Sequence, residues 1–445
     1  MFSAAYKRYV LFMLTLVCTL GFLDSGLLAL LLQPIKEDLG LSDTQLGLMT
    51  GIAGALFYAA LGLPISRWAD RGNRTTITSL AIGLWGIVVM LYVFVTSFAQ
   101  LLTLRMAVAV GDAGLKPPSY SLLGDYFPEP AEGTVAMAIF WSAGSLSALL
   151  SFAVGGWLNE LYGWRLTMLL MGLPGVVVAV LIKLTVIEPR TLGKQASGPQ
   201  QRLLPMASVL LTLWRQPSTR HLGIALMLLQ MMTVGLTPWF AAFMIRSHGM
   251  NTAELGVWLG LIAGFGGLAG ALLGGYVSGR WFAHDERGQM RLSARMVGSL
   301  VPCSAVFLLV PHKLQALAAL IPFMVMLSFF TGPTFALLQR LVVEEMRATS
   351  FALIMLLGTL VGVGIGPLLV GVLSDALLPL LGGESLRYAM LTTSVVALWS
   401  AYYFWQAGHK VELDLQAVAA RAQVDVGSST TLPTHRAGVL AVNEE

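Results

Sequence analysis

Long apolar runs, separated by short charged clusters, decide what this chain can become. A helix that crosses a bilayer needs about 20 mainly apolar residues, and such runs recur along almost the whole sequence. Of its 445 residues 56% are hydrophobic and only 11% charged, against roughly 25% charged in a soluble globular chain. The mean hydropathy is +0.76. A chain this poor in polar surface cannot cover itself in water, so a soluble enzyme is excluded and an integral membrane protein is expected. Lys7 and Arg8 precede an apolar stretch that runs to about Leu32 without an A-x-A site. That pattern reads as a first spanning helix rather than a signal peptide.

Apolar segments are expected at 9–33, 46–67, 76–97, 99–123, 134–158, 166–187, 221–245, 255–281, 293–311, 314–339, 349–379 and 387–408. The expected fold class is therefore all-α: twelve transmembrane helices in two six-helix bundles, 1–188 and 221–409. The stretch 189–220 holds Pro189, Gly193, Gly198, Pro199 and Pro205, as a linker should. From 410 to 445 the composition turns polar and small, which predicts a disordered tail. Orientation follows from loop Lys and Arg. With the N-terminus inside, the cytoplasmic loops collect Lys7, Arg8, Arg67, Arg71, Arg74, Arg190, Arg280, Arg287, Arg291, Arg295, Arg340 and others. The outer loops keep mainly Lys36, Arg165, Arg246, Lys313 and Arg387. This sorting explains the net charge of +4 and the pI near 9.1 without a nucleic-acid partner. Both termini are expected in the cytoplasm.

Charge inside an apolar run is costly, about 2.5 to 3.5 kcal/mol at the bilayer centre on insertion scales. It calls for a partner or a wet cavity. The first helix carries Asp24; the fourth carries Arg105, Asp112 and Lys116 at spacings of seven and four, which places them on one helical face. Asp24 lies roughly 14 Å from the outer end of its helix and Arg105 roughly 9 Å below the same surface, at 1.5 Å per residue, so the two can meet. Asp112 falls near the midplane, and a carboxylate whose pairing changes with access can gain and lose a proton. Asp112 paired with Arg105, with Asp24 completing the cluster, is thus a candidate coupling site. The alternative is a fixed polar lock between the two helices. Lys116 is a candidate cationic contact for a substrate, or a residue that snorkels to the cytoplasm; Lys183 is expected to snorkel.

After the second helix, Asp70, Arg71 and Arg74 suit a charge–dipole latch at a cytoplasmic helix end. Glycines cluster in the fifth, eighth and eleventh helices, where small residues allow close packing, and Gly366-Pro367 is a candidate hinge. Phe22, Tyr58, Phe140, Trp141, Trp239, Phe240, Phe330 and Phe335 are candidate cavity-lining rings. Cys18 and Cys303 lie in apolar runs and build neither a disulfide framework nor a metal site. No phosphate-binding glycine loop, H-E-x-x-H or nucleophile elbow occurs, so ATP-driven pumping and enzymatic catalysis are not expected.

On these residues the chain resembles the major facilitator superfamily from 1 to about 409. SRWADRGNRTT is similar to that superfamily's signature between helices 2 and 3, departing at Ser66, Asn73 and Thr75 and keeping Asp70, Arg71 and Arg74. EDLGLSDTQLGLM, VAVGDAGLKPPSYSLLGDYFP, GGWLNELYGWR, FMIRSHGM, MRATSFAL and VGVGIGPLLVGVLSD are similar to bacterial Spinster-like transporters. The resemblance implies alternating access and an amphipathic organic anion, such as a lysophospholipid or a sphingosine-1-phosphate-like lipid, moved with or without protons. It places Asp24, Arg105 and Asp112 at positions tied to coupling and gating. Arg105, Lys116, Tyr58, Phe140, Trp141 and Phe330 are the expected substrate contacts. The helix 4 acid is Asp112 where glutamate is usual, Ser25 stands where arginine is frequent, and Gly279 stands where the second loop signature has an acid. A proton-linked carrier of small organic anions or drugs, and a non-transporting sensor, are the other readings. No cofactor is expected, the partners are substrate, protons and membrane lipids, and a monomer in a bacterial inner membrane is the default.

Overall fold

The computed structural model describes residues 2–192, 206–282, 285–342 and 346–429, and the regular structure among them is helical, with no strand. The first half contains α1 (Ala4–Leu39), α2 (Asp43–Leu48), α3 (Gly54–Arg71), α4 (Arg74–Leu91), α5 (Phe98–Ala113), α6 (Lys116–Tyr126), α7 (Pro130–Trp141), α8 (Ala143–Leu149) and α9 (Gly155–Thr185). A short α10 (Met206–Arg215) leads into the second half: α11 (Pro217–Leu236), α12 (Trp239–His248), α13 (Thr252–Trp281), α14 (Glu286–Leu309), α15 (Lys313–Phe329), α16 (Thr331–Arg340), α17 (Arg347–Gly358), α18 (Gly364–Leu381), α19 (Ser385–Ser394) and α20 (Val396–Ser429). Single π-helical turns, Met49–Ala53, Leu150–Val154 and Thr359–Val363, join α2 to α3, α8 to α9 and α17 to α18.

Ten helical stretches among the described residues are long and apolar enough to cross a membrane, so the protein is an integral, multi-pass membrane protein. Two of them, Val135–Thr191 and Leu353–Ala417, hold 57 and 65 residues. At 1.5 Å per residue each exceeds twice the ~30 Å hydrocarbon core. The first turns sharply at Gly163, whose φ of 74° belongs to the left-handed region that glycine alone adopts freely. Polar caps start several helices: Ser3, Asn73, Ser97 and Asn251 each accept from a backbone N–H three residues on. Ser42 and Gln45 form a reciprocal capping box at the start of α2.

Two regions depart from expectation. The linker carries helical α10, whose Val209 and Leu213 pack with Val342 and Leu353; linker residues 193–205 lie outside the described residues. The chain after 410 does not leave helix at once. α20 continues to Ser429, because VELDLQAVAARAQV repeats apolar residues every three or four positions among strong helix formers. Residues 430–445 lie outside the described residues.

The halves touch where backbones come very close. A Cβ on Gly256 of α13 would sit 2.1 Å from Phe152 O in the second π turn, and one on Gly156 would sit 2.3 Å from Thr252 O. Gly51 meets Gly364 O at 2.6 Å and Gly371 meets Asp43 O at 2.2 Å on the same basis. Gly366 packs instead on Met231 and Gly235 of α11, inside its own half.

Candidate functional site

The buried charges lie where three first-half elements converge. α1 brings Asp24, α5 brings Arg105 and Asp112, and the π turn ahead of α3 lays Gly54 beside the guanidinium, 3.5 Å from Nε to a would-be Cβ. Asp24 is 2% exposed and accepts a hydrogen bond from Arg105 Nη1 in an ion pair. Arg105 Nε, also buried, has no hydrogen-bond partner. The predicted meeting of Asp24 with Arg105 therefore occurs, while the predicted pairing of Arg105 with Asp112 does not: the guanidinium is taken by the other acid. Asp112 is half-buried, and its Oδ1, closed off from water, has no hydrogen-bond partner. That oxygen faces α1, 3.9 Å from the position a Gly21 Cβ would take. Tyr58 on α3 is half-buried and within electrostatic reach of Asp112, and the fully buried Tyr92 hydroxyl is within reach of Asp24, Arg105 and Asp112.

Lys116 does not continue the α5 face. Pro117 and Pro118 lack the N–H groups that Ala113 and Gly114 carbonyls would need, so α5 ends at Ala113 and α6 begins anew at Lys116. Its ammonium still returns to the cluster, 4.1 Å from the ring centroid of Phe22, a cation–π contact. Lys183 donates to Thr76 Oγ1 at 2.7 Å.

The aromatic expectations divide. Phe140 is fully buried, edge-on to Tyr120 at 5.3 Å, and Phe330 is 5% exposed against Phe404. Both belong to the packed interior rather than to a cavity wall, because their rings already fill gaps between helices. Trp141 is 55% exposed and stacks at a tilt on Tyr120. Trp239 and Phe240 are buried, the latter between Phe307 and Phe323, and Phe335 packs on the core.

The latch residues also behave otherwise. Arg74 is fully buried: its backbone N–H and Nε donate to Glu188 at 2.7 and 3.1 Å, Nη1 to Ser121 at 2.7 Å, and Nη2 to Asp125 and Glu188 at 2.5 Å. Four of its five guanidinium donors and its backbone N–H are spent on its own half, tying α4 to α6 and to the chain after α9, which does not suit a latch to the other half. The side chains of Asp70 and Arg71 lie outside the described residues.

A second charge cluster, not singled out in the sequence, joins the halves at the end where α1 finishes. Asp43, 2% exposed, accepts both Nη groups of Arg246 at 2.8 and 2.7 Å, Lys36 Nζ at 2.6 Å and Ser374 Oγ at 2.6 Å. Arg246 Nε donates to Gln33 at 2.5 Å. Asp375 in turn accepts the Asp43 and Thr44 N–H groups at 3.1 and 2.7 Å, capping α2 from across the interface. Nearby, Asn159 donates to Thr252 Oγ1 at 2.9 Å. Every hydrogen bond between described residues of the two halves gathers at this end.

A bundle of apolar helices with buried charge in one half and a zipped interface at one end defines a membrane transporter. Residues 14–367 match the Major Facilitator Superfamily model, and the chain belongs to that family. It is 31% identical over 410 residues to an MFS-type efflux pump of Mycolicibacterium smegmatis, covering 90% of this chain and 92% of that one. A hexuronate transporter of Bacillus subtilis is 24% identical over 84% of this chain and 89% of its own length. Among solved structures, a bacterial homolog to human lysosomal transporter, Spinster, in an inward-facing and unoccupied conformation, superposes with a TM-score of 0.82. It is 26% identical, over 93% of this chain and 99% of its own. The Spinster-like resemblance is thus shared by sequence and fold.

Proposed function

We propose that the protein is a proton-coupled, alternating-access carrier of an amphipathic organic anion, in the class of lysophospholipids or sphingosine-1-phosphate-like lipids. One observation carries the coupling: Asp112 keeps a sealed carboxylate oxygen without a partner beside an ion pair, Asp24–Arg105, that satisfies its neighbours. A carboxyl group so placed is a candidate to exchange a proton as its access and its neighbours change. When the anionic head group draws Arg105 away from Asp24, both carboxylates are left without that cation, and proton occupancy and substrate occupancy become linked. Lys116 and Tyr58 complete the polar lining, and Trp141 offers an apolar wall. The Spinster-like neighbour supports the lipid class.

On this reading twelve helices cross the inner membrane, six per half, with residues 189–220 linking them and both termini cytoplasmic. The zipped end then faces outward and the described conformation opens inward. Asp70 and Arg71 are assigned to the inner gate, and the carrier works as a monomer. The names of the efflux-pump and hexuronate relatives favour a second reading, a proton-linked carrier of drugs or small organic anions.

The test is flux of a labelled lysophospholipid into proteoliposomes, with and without a pH gradient, for wild type and Asp112→Asn. Gradient-stimulated flux lost at least tenfold in the variant is expected. Flux indifferent to pH and to Asp112 overturns the coupling. No lysolipid flux, together with flux of hexuronate or a cationic dye, moves the assignment to the second reading.

A further inference from the structure

Far from the central charges, α14 carries Arg287, Arg291 and Arg295 at intervals of four, so all three lie on one helical face. α14 packs antiparallel on α20, with Gly298 against Ala401 and Gly408 against Met290. Between them runs an open groove of about 530 Å³, with Arg291 and Arg295 on one wall and Tyr402 and Trp405 on the other, over a floor that includes Ala294 and Leu398. The two rings are 51% and 44% exposed, and both arginines are exposed.

Among the described residues these cations lack counter-charges. None of the three arginines forms an ion pair among the described residues. The acid next in sequence, Glu286, is held by Arg340 at 2.6 Å. Buried Nε of Arg287 has no hydrogen-bond partner. Arg295 stands nine residues into a helix long enough to span a membrane, roughly 14 Å along it, and is exposed. An exposed guanidinium on a spanning helix is suited to an anion.

We propose that this groove binds the head group of an anionic membrane phospholipid. The guanidinium forks match phosphodiester oxygens; Tyr402 and Trp405 are amphipathic rings of the kind that settle at the head-group level; Leu398 and Ala294 take the start of an acyl chain. A basic pocket between spanning helices suits a lipid carrying net negative charge, while a choline head group would bring its own cation against the arginines. The site is independent of whatever the central cavity carries.

The full-length protein in neutral detergent is titrated with phosphatidylglycerol or phosphatidylcholine and its lipid adducts counted by native mass spectrometry. Wild type is expected to hold phosphatidylglycerol at least tenfold more tightly. Arg287→Gln/Arg291→Gln/Arg295→Gln should bring it down to the phosphatidylcholine level, while the triple change to lysine keeps most of the preference. Leu398→Trp, which fills the groove and leaves the charges in place, should also lose it, so the proposal stays testable where the glutamine variant does not fold. Asp112→Asn should bind as wild type does, which separates this outcome from failure of the transport reading. Equal affinity for the two lipids, unchanged binding in the glutamine and tryptophan variants, or displacement by equimolar inorganic phosphate each overturns it.

Discussion

Single charges in this molecule are understood by asking who holds them. Asp24, Arg105 and Asp112 stood out in the sequence because a charge inside an apolar run has no bland explanation, and all three converge in the fold. Which acid Arg105 would choose was not legible, since it depends on the relative rotation of α1 and α5. Asp24→Asn frees Arg105, and Asp112 is the nearby acid able to accept it. Asp24→Asn and Asp112→Asn should therefore be non-additive, the double change costing about 1–3 kcal/mol more than the sum of the singles in a thermal-unfolding cycle. Additive values would mean that the two acids do not share the arginine. Glu188 went unremarked because it ends an apolar run, where an acid is ordinary. It nonetheless receives three donors from buried Arg74. Glu188→Ala leaves that guanidinium with Asp125 as its acidic partner and should destabilise the protein by about 1–3 kcal/mol, read as a fall in unfolding temperature in detergent, whereas Lys183→Ala, at an exposed bond, should change it little.

Among the elements, hydropathy made the spanning stretches readable and missed their interruptions. The break between α5 and α6 is written in Pro117-Pro118, which stand inside the single apolar segment expected at 99–123. The three π turns have no compositional signature, yet the close approaches of Gly51 to Gly364 and of Gly256 to Phe152 O occur at them. Glycine stripes were visible without revealing which members touch the other half. Gly256 and Gly264, both on α13, separate these cases. A methyl at Gly256 would lie 2.1 Å from a backbone oxygen, and one at Gly264 would lie 3.8 Å from Ser145 O. Gly256→Ala should cut flux at least tenfold with normal expression, and Gly264→Ala should leave it within twofold. Equal effects would mean that this crossing does not govern closure. Phe140 and Phe330 show the converse limit, since an apolar ring in an apolar helix looks the same in sequence whether it faces a cavity or a neighbour.

For the whole molecule, the decisive polar contacts hold one end shut. They escaped the sequence reading because Asp43 and Arg246 stand at helix ends, where charge is commonplace, and are 203 residues apart in the chain. Losing a buried charge pair across an interface costs roughly 2–5 kcal/mol, enough to shift a two-state equilibrium on the order of a hundredfold. Arg246→Gln should therefore populate a state parted at that end. Spin labels on the exposed positions Leu161 and Val257, in a chain without Cys18 and Cys303, would report a new, longer separation by pulsed electron resonance. An unchanged distance distribution would sink the lock. All the described bonds between the halves sit on one face, so the carrier should also sense electrolyte from one side. Concentrated salt weakens charge pairs as water reaches them. In vesicles with uniform insertion, raising salt in the compartment that bathes Asp43 and Arg246 should bias the cycle toward opening there, and the same salt in the opposite compartment should not. Two otherwise identical solutions would then set a direction of preference in a machine with no gradient of its substrate.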